Sequence, residues 1–285
     1  MSILPRLDDL LACLLPTLDA CRLQLLSPSP VESWFKYSRA GRPEVVSALD
    51  HTIEQLLVCC LRRHFPAIPI LAEESQHNWT ALSGEACFVI DPIDGTREFL
   101  AGRDGYSISI ALLQHGSPVL AILDFPARGQ RFWASRGHGV YRDGVSTRVA
   151  CLSPAGTLQL LAVSPSQTLT FPLAVLQSAL PGFRLIPHGA MAAKLAGVAC
   201  GTFHAAAFLA APGARAPIWD FAAAALILAE AGGDFSDLRG RSLLHPLPPV
   251  LLHGWLATNG QPPEMLLSAL AECSSSLSAL PVQSA

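Results

Sequence analysis

The chain has 285 residues, 51% of them hydrophobic and only 14% charged, with a formal net charge of -3. So much apolar material supports a large buried core and excludes a disordered chain. The scattered lysines and arginines exclude the basic face of a nucleic-acid binder. The uncharged runs 149–183 and 195–214 are broken by Pro154, Gly156, Pro165, Pro172, Pro181, Gly197, Gly201 and Pro212, so neither reads as a membrane span.

Taken in chain order, leucines at 7, 10, 11, 14, 15 and 18 predict a helix over 5–27 with an acidic opposite face. Asp8, Asp9 and Asp19 among those leucines fit no signal peptide, and a cytoplasmic protein is expected. A looser stretch with Pro28, Pro30, Gly41 and Pro43 leads to a second helix over 48–63. IPILAEES reads as a short strand ending in Glu73 and Glu74. ACFVIDPIDGT repeats that design, with a strand at 88–90 running out into Asp91, Asp94 and Gly95.

SISIALLQ and PVLAILDF are predicted strands joined by a tight turn, continued by RFWASR and GVYRDG. Beyond residue 150 the pattern alternates: a strand at LLAVS, helices over 173–180 and 191–200, and a strand in FHAAAFLA. WDFAAAALILAEAGG predicts a helix stopped by glycine, and DFSDLRGR turns into a last strand around Trp255–Thr258. The tail from Ser274 is expected to fray. The eight cysteines, Cys13, Cys21, Cys59, Cys60, Cys87, Cys151, Cys200 and Cys273, form no CxxC pair and read as small hydrophobes of a reduced compartment.

The chemistry lies at the strand exits. An apolar strand that ends in acids carries carboxylates to the rim of a sheet, where layered α/β folds bind ligands. Crowded carboxylates repel one another unless a cation neutralises them, and oxygen-only ligand sets suit magnesium. Taken singly, DPIDG is also a common turn, and Asp50 and Asp220 could each be a helix cap. Glu73, Asp91, Asp94 and Asp220 together are better explained as a metal cluster. The DxDGT motif of haloacid dehalogenase phosphatases does not fit, because Asp91 and Asp94 are spaced DxxD and stand far from the N-terminus.

The segments LAEES, DPIDGTREFL and IWDFAAAALILAEAGG resemble, in order and separation, those of the inositol monophosphatase superfamily of metal-dependent, lithium-sensitive phosphatases. The resemblance runs from Ser47 to Asn259 and implies a layered αβαβα sandwich. Its lobes would be 1–148, with most metal ligands, and 149–285, supplying Asp220 and substrate contacts. It implies magnesium, two or three ions. Glu73, Asp91 and the Ile93 carbonyl would hold the first, whose bound water is the nucleophile, and Asp91, Asp94 and Asp220 the second. Thr96 would orient the water with Glu73, and Asp50 with Glu73 matches a weaker third site that Glu74 adjoins. The Gly95 and Thr96 N–H groups would grip phosphate.

The implied partner is a small phosphorylated metabolite, with no nucleic-acid polymer and no membrane, and a homodimer is the family's frequent assembly. Glu98 and Phe99 in TREFL resemble the bisphosphate nucleotidase branch, which acts on 3'-phosphoadenosine 5'-phosphate. APGARAPIWD lacks the acid that contacts the ring in the inositol branch. Inositol or sugar phosphates remain the alternative, and a non-catalytic relative a further one. His51 reads as a helix-surface residue and Trp219 as packing. Lys194 and Arg215 are open between substrate contact and solvation.

Overall fold

Helices α1 (Leu7–Leu25) and α2 (Ala48–His64) flank an antiparallel hairpin of β1 (Ser33–Tyr37) and β2 (Pro43–Ser47). The computed structural model describes residues 4–27, 30–37, 43–75, 78–148, 159–164, 173–209, 215–252, 254–260 and 264–278. Residues 149–158, 165–172 and 210–214, with Cys151 and Pro165, lie outside them. Seven strands then form one sheet in sequence order: β3 (Ile70–Ala72), β4 (Ala86–Asp94), β5 (Ser107–Gln114), β6 (Ser117–Phe125), β7 (Gln130–Ser135), β8 (Val140–Arg142) and β9 (Val145–Thr147). Only β3 and β4 are parallel; the rest is a meander. The short helix α3 (Thr96–Leu100) leaves the end of β4.

The second sheet has five strands: β10 (Gln159–Val163), β11 (Phe183–Pro187), β12 (Ala205–Phe208), β14 (Asp234–Asp237) and β16 (Trp255–Thr258), in the order β11-β10-β12-β16-β14. Between them run α4 (Leu173–Ala179), α5 (Met191–Ala199) and α6 (Ala222–Ala231), with α7 (Glu264–Ser278) last. Two-residue β13 (Ala216–Pro217) pairs with β15 (Val250–Leu251).

Alternation within each strand builds five layers. On β4, Phe88 and Ile90 face the leucines of α1 and α2, while Cys87 and Val89 face α5 and α6. On the second sheet Ala162, Ala206 and Ala257 face α5 and α6, while Leu161, Ala205 and Leu256 pack on α4 and α7. The result is the αβαβα sandwich. The middle helices are apolar on every side because both faces meet a sheet, and all of Met191 to Ala199 is buried. Their alanines keep the layers close. A methyl group on Gly197 would sit 2.5 Å from the Phe203 ring.

Most predicted elements are present, and the differences have physical causes. The stretch read as loose holds the β1–β2 hairpin, whose Trp34 and Phe35 are exposed and so leave no apolar alternation. The final helix escaped notice, although Leu266, Ala269, Leu270 and Cys273 are buried at helical spacing. It continues to Ser278, into the segment expected to fray. Not every cysteine is core: Cys59 is exposed and Cys13, Cys60 and Cys200 are half-buried. Buried Asp124 on β6 accepts from Arg22 Nε at 2.9 Å and Arg131 Nε at 3.2 Å, tying α1 to the sheet. No helix among the described residues is long and apolar enough to cross a membrane.

Candidate active site

The parallel register of β3 and β4 sets Ala72 opposite Ile90, and the Glu73 N–H donates to the Ile90 carbonyl at 3.2 Å. Glu73 and Asp91 therefore leave adjacent strands at the same rim. In a regular strand, residues three apart point to opposite faces. Here Asp91 pairs with Ser109 and Asp94 with Ser107, so three steps on β4 match two on β5. This bulge absorbs one residue and turns both acids toward one side. Pro92, which has no N–H, falls within the bulge, and the Ile93 N–H donates to Asp91 Oδ1 at 3.0 Å.

The chain then turns through Gly95 at φ 93°, where a Cβ would stand 2.8 Å from that of Ala190. Only glycine suits that backbone and that approach. The Thr96 hydroxyl lies 3.0 Å from Asp50 Oδ1 and 3.2 Å from the Ile93 carbonyl. Asp50 is fully buried, and its other oxygen accepts from the Ser47 N–H at 2.7 Å and the Ser47 hydroxyl at 2.5 Å. The cap reading of Asp50 holds: one oxygen caps α2, and the other holds Thr96.

Two further contacts fix the remaining acids. The Ala192 N–H at the start of α5 donates to Asp94 Oδ2 at 2.8 Å. Asp220 does not cap α6. It ends a 3-10 turn, Ile218–Asp220, and Phe221 is the N-cap. The Ser109 hydroxyl donates to the Trp219 carbonyl at 3.2 Å, pinning that turn to the strand beside Asp91. Trp219 also packs against Trp79, with ring centroids 5.2 Å apart, as its packing role requires.

Glu54 and Lys36 were not singled out in the sequence. Glu54, buried on α2, accepts from the Glu74 N–H at 2.6 Å and the Ser75 N–H at 2.5 Å, holding the loop that carries Glu73. Lys36 on β1 reaches Glu73 at 2.9 Å and Glu74 at 2.5 Å. A lone lysine 37 positions before its partner carries no local signal.

Glu98 is packed away. A methyl on Gly189 would lie 1.9 Å from Glu98 Oε1, one on Gly95 3.5 Å from Oε2, and one on Gly105 3.6 Å from its Cγ. Lys194 is buried and donates to Ser164 Oγ at 2.8 Å and to the Gly189 carbonyl at 2.5 Å, so it holds the segment that encloses Glu98. Arg215 is exposed, and His51 stacks on Trp34 with centroids 5.7 Å apart.

The acids strain against one another. Burial, then Glu73, Asp94, Asp220 and Asp50, hold the Asp91 carboxyl well above its usual range. Burial and then Asp94 and Glu73 do the same to Asp220. Burial pushes Asp94 up to about 7, against the Ala192 N–H, and burial with Glu73 pushes Glu74 up to about 7. Burial opposes the Lys36 charge, but Glu73 and Glu74 outweigh it and leave its pKa raised. Such a cluster calls for positive charge.

The description "Inositol monophosphatase family" belongs to the family model that matches residues 33–275. This chain belongs to the inositol monophosphatase family. Nus factor SuhB of Xylella fastidiosa is 36% identical over 209 residues, covering 70% of this chain and 71% of that protein. The fructose-1,6-bisphosphatase/inositol-1-monophosphatase of Thermotoga maritima is 27% identical over 206 residues, covering 71% and 75%. In structure, an IMPase/NADP phosphatase complexed with Mg2+ and phosphate superposes with a TM-score of 0.71 at 22% identity, covering 92% of this chain and 94% of that one. That likeness establishes the shared fold.

Members of the inositol monophosphatase family are phosphatases. The residues here suit the hard ions such chemistry uses: Glu73, Asp91, Asp94, Asp220 and the Ile93 carbonyl offer only oxygen. Among the described residues no three of these acids bring ligand oxygens within 4.8 Å of one another. As placed, three of these carboxylates cannot all touch one ion directly, so magnesium would have to draw them together or reach some of them through its own waters.

Proposed function

We propose that this chain is a magnesium-dependent phosphomonoesterase for a small phosphorylated metabolite. The supporting observation is the β4 bulge, which turns Asp91 and Asp94 to one side next to Glu73, with Asp220 close enough to raise the Asp91 pKa and to have its own raised by Asp94. Glu73, Asp91, the Ile93 carbonyl, Asp94 and Asp220 are the proposed ion ligands. Bound magnesium would lower the pKa of water and offset charge on the phosphoryl oxygens.

The protein's own groups set the geometry of the reaction. Asp50 accepts the Thr96 hydroxyl proton in a hydrogen bond, which fixes the hydroxyl oxygen as an acceptor for the attacking water beside Glu73. The Gly95 and Thr96 N–H groups are the proposed phosphate contacts, and Asp220 faces the leaving group. Ala192 keeps Asp94 in place through its backbone.

For substrate, 3'-phosphoadenosine 5'-phosphate is the first proposal, supported by Glu98 and Phe99 in TREFL. An inositol or sugar phosphate is the second, supported by the activity named for the Thermotoga relative and by Glu98 lying only 13% exposed against the second lobe. A non-catalytic role would not need the complete acid set, so catalysis is the stronger reading. Phosphate release should be measured with magnesium on 3'-phosphoadenosine 5'-phosphate, inositol 1-phosphate and fructose 1,6-bisphosphate. Turnover of the nucleotide alone supports the first proposal, and turnover of a polyol or sugar ester alone supports the second. No release from any of them by folded, magnesium-bound protein would count against the enzyme reading for all three.

A further inference from the structure

Cys13 on α1 and Cys60 and His64 on α2 bring one ligand atom each within 4.8 Å of one another, and no other group of three candidate ligands among the described residues does so. Cys60 and His64 are four residues apart and share one face of α2, the helical spacing that lets two side chains bind one ion. The Cys60 sulfur lies 3.9 Å from His64 Nδ1, which also stands 2.9 Å from the Cys60 carbonyl, so the ring binds an ion through Nδ1 only by giving up that hydrogen bond. Cys13 completes the triad from the facing helix. Its thiol donates to the Leu10 carbonyl at 3.2 Å, while the Cys60 thiol donates to the Cys13 carbonyl at 3.3 Å. Both cysteines are half-buried and His64 is exposed, which leaves an open side for a fourth ligand and for entry of an ion.

Sequence spacing hides this cluster, because 47 residues separate the two cysteines and only helix packing joins them. It is also distinct from the acid site. Asp50 stands at the N-terminal end of α2 and His64 at its last residue, roughly 20 Å away at 1.5 Å per residue. Two thiols and an imidazole do not suit magnesium; they suit a thiophilic ion of the zinc class. A catalytic cysteine is not favoured, since burial and then the neighbouring Cys60 push the Cys13 thiol up to about 12.

We propose that Cys13, Cys60 and His64 form a second, soft-metal site that binds one zinc-class divalent cation and clamps α1 onto α2, with water as the fourth ligand. Binding exchanges two S–H bonds for two sulfur–metal bonds and releases two protons to solvent. No electron is transferred.

Cobalt(II) is the probe. The fully reduced chain, held in excess magnesium so that oxygen sites are occupied, is titrated with cobalt and followed by the thiolate-to-cobalt charge-transfer band in the near ultraviolet. Carboxylate sites give no such band. One equivalent should develop it, zinc should abolish it, Cys13→Ser and Cys60→Ser should each remove most of it, and His64→Ala should weaken binding at least about tenfold. A folded, reduced wild-type chain without the band would overturn the proposal, as would a band that persists in Cys13→Ser. If the cysteine variants lose their fold by circular dichroism, exposed His64 decides: unchanged cobalt affinity in His64→Ala refutes the site.

Discussion

The Thr96 hydroxyl sits 3.0 Å from Asp50 Oδ1, joining the end of the β4 motif to the start of α2 across 46 residues. Asp50 uses both oxygens, one for Thr96 and one for the Ser47 cap. An amide has one acceptor, so Asp50→Asn must give up its Ser47 contacts or turn the Thr96 hydroxyl from donor to acceptor. We expect a loss of about 1–3 kcal/mol in chemical denaturation together with a fall in kcat. Thr96→Ala should lower kcat by about 100-fold with little change in stability, and Thr96→Ser should restore most of it. Equal kcat for Thr96→Ala and wild type would remove Thr96 from the mechanism.

The raised carboxyl of Asp94 gives stability a pH dependence of known sign. Its pKa is about 7 in the folded chain against an ordinary 3.8, so the folded state holds the proton more tightly. Without metal, the stability penalty of this group is absent below about 4 and complete above about 7. Asp94→Asn, which keeps an oxygen for the Ala192 N–H, should therefore gain on wild type as pH rises through that window. Thermal denaturation in chelator at a series of pH values measures the difference. Magnesium should stabilise wild type more than Asp94→Asn, which keeps only the ligands proposed for the first ion. A difference that shrinks with rising pH would contradict the electrostatic account.

Gly189 and Glu98 form a contact that tolerates no added atom. Gly189→Ala should cost about 1–3 kcal/mol through the clash with Glu98. Glu98→Ala removes the clashing atoms, so the double variant should recover most of that loss. A double-mutant cycle of denaturation midpoints tests it, and strict additivity would show that the two side chains do not meet.

These relationships separate what the residues disclosed from what packing alone decides. The acids of LAEES and DPIDGT are visible because each ends an apolar strand, whereas the five layers are implied by the family resemblance and not by the apolar periods. The bulge could not be read, since a DxxD spacing alone does not say whether the strand stays regular. Glu54 looked like any helix glutamate, because its burial depends on where α2 meets the Glu73 loop. Asp220 reads as the helix start, one residue too early: the WD pair ends a 3-10 turn, which residue preferences do not distinguish from a helix start. The meeting of Cys13 with Cys60 depends on how α1 crosses α2.

Glu54 offers a test of how the Glu73 loop is supported. Its carboxylate takes two backbone N–H groups, and Glu54→Gln can accept only one on its single carbonyl oxygen without disturbing the other. Half-maximal activity should then need about 10-fold more magnesium, with kcat at saturation near that of wild type. An unchanged magnesium requirement would show that the loop holds its position without Glu54.

The most direct test is phosphate release as a function of magnesium for wild type and Asp91→Asn, on whichever ester of the panel turns over. Asp91 lies within the bulge and is among the proposed ligands of both ions. The account predicts saturable magnesium dependence for wild type, no release in chelator, and a fall of at least about 100-fold for a folded Asp91→Asn. Turnover that persists in chelator, or an Asp91→Asn chain as active as wild type, would contradict it.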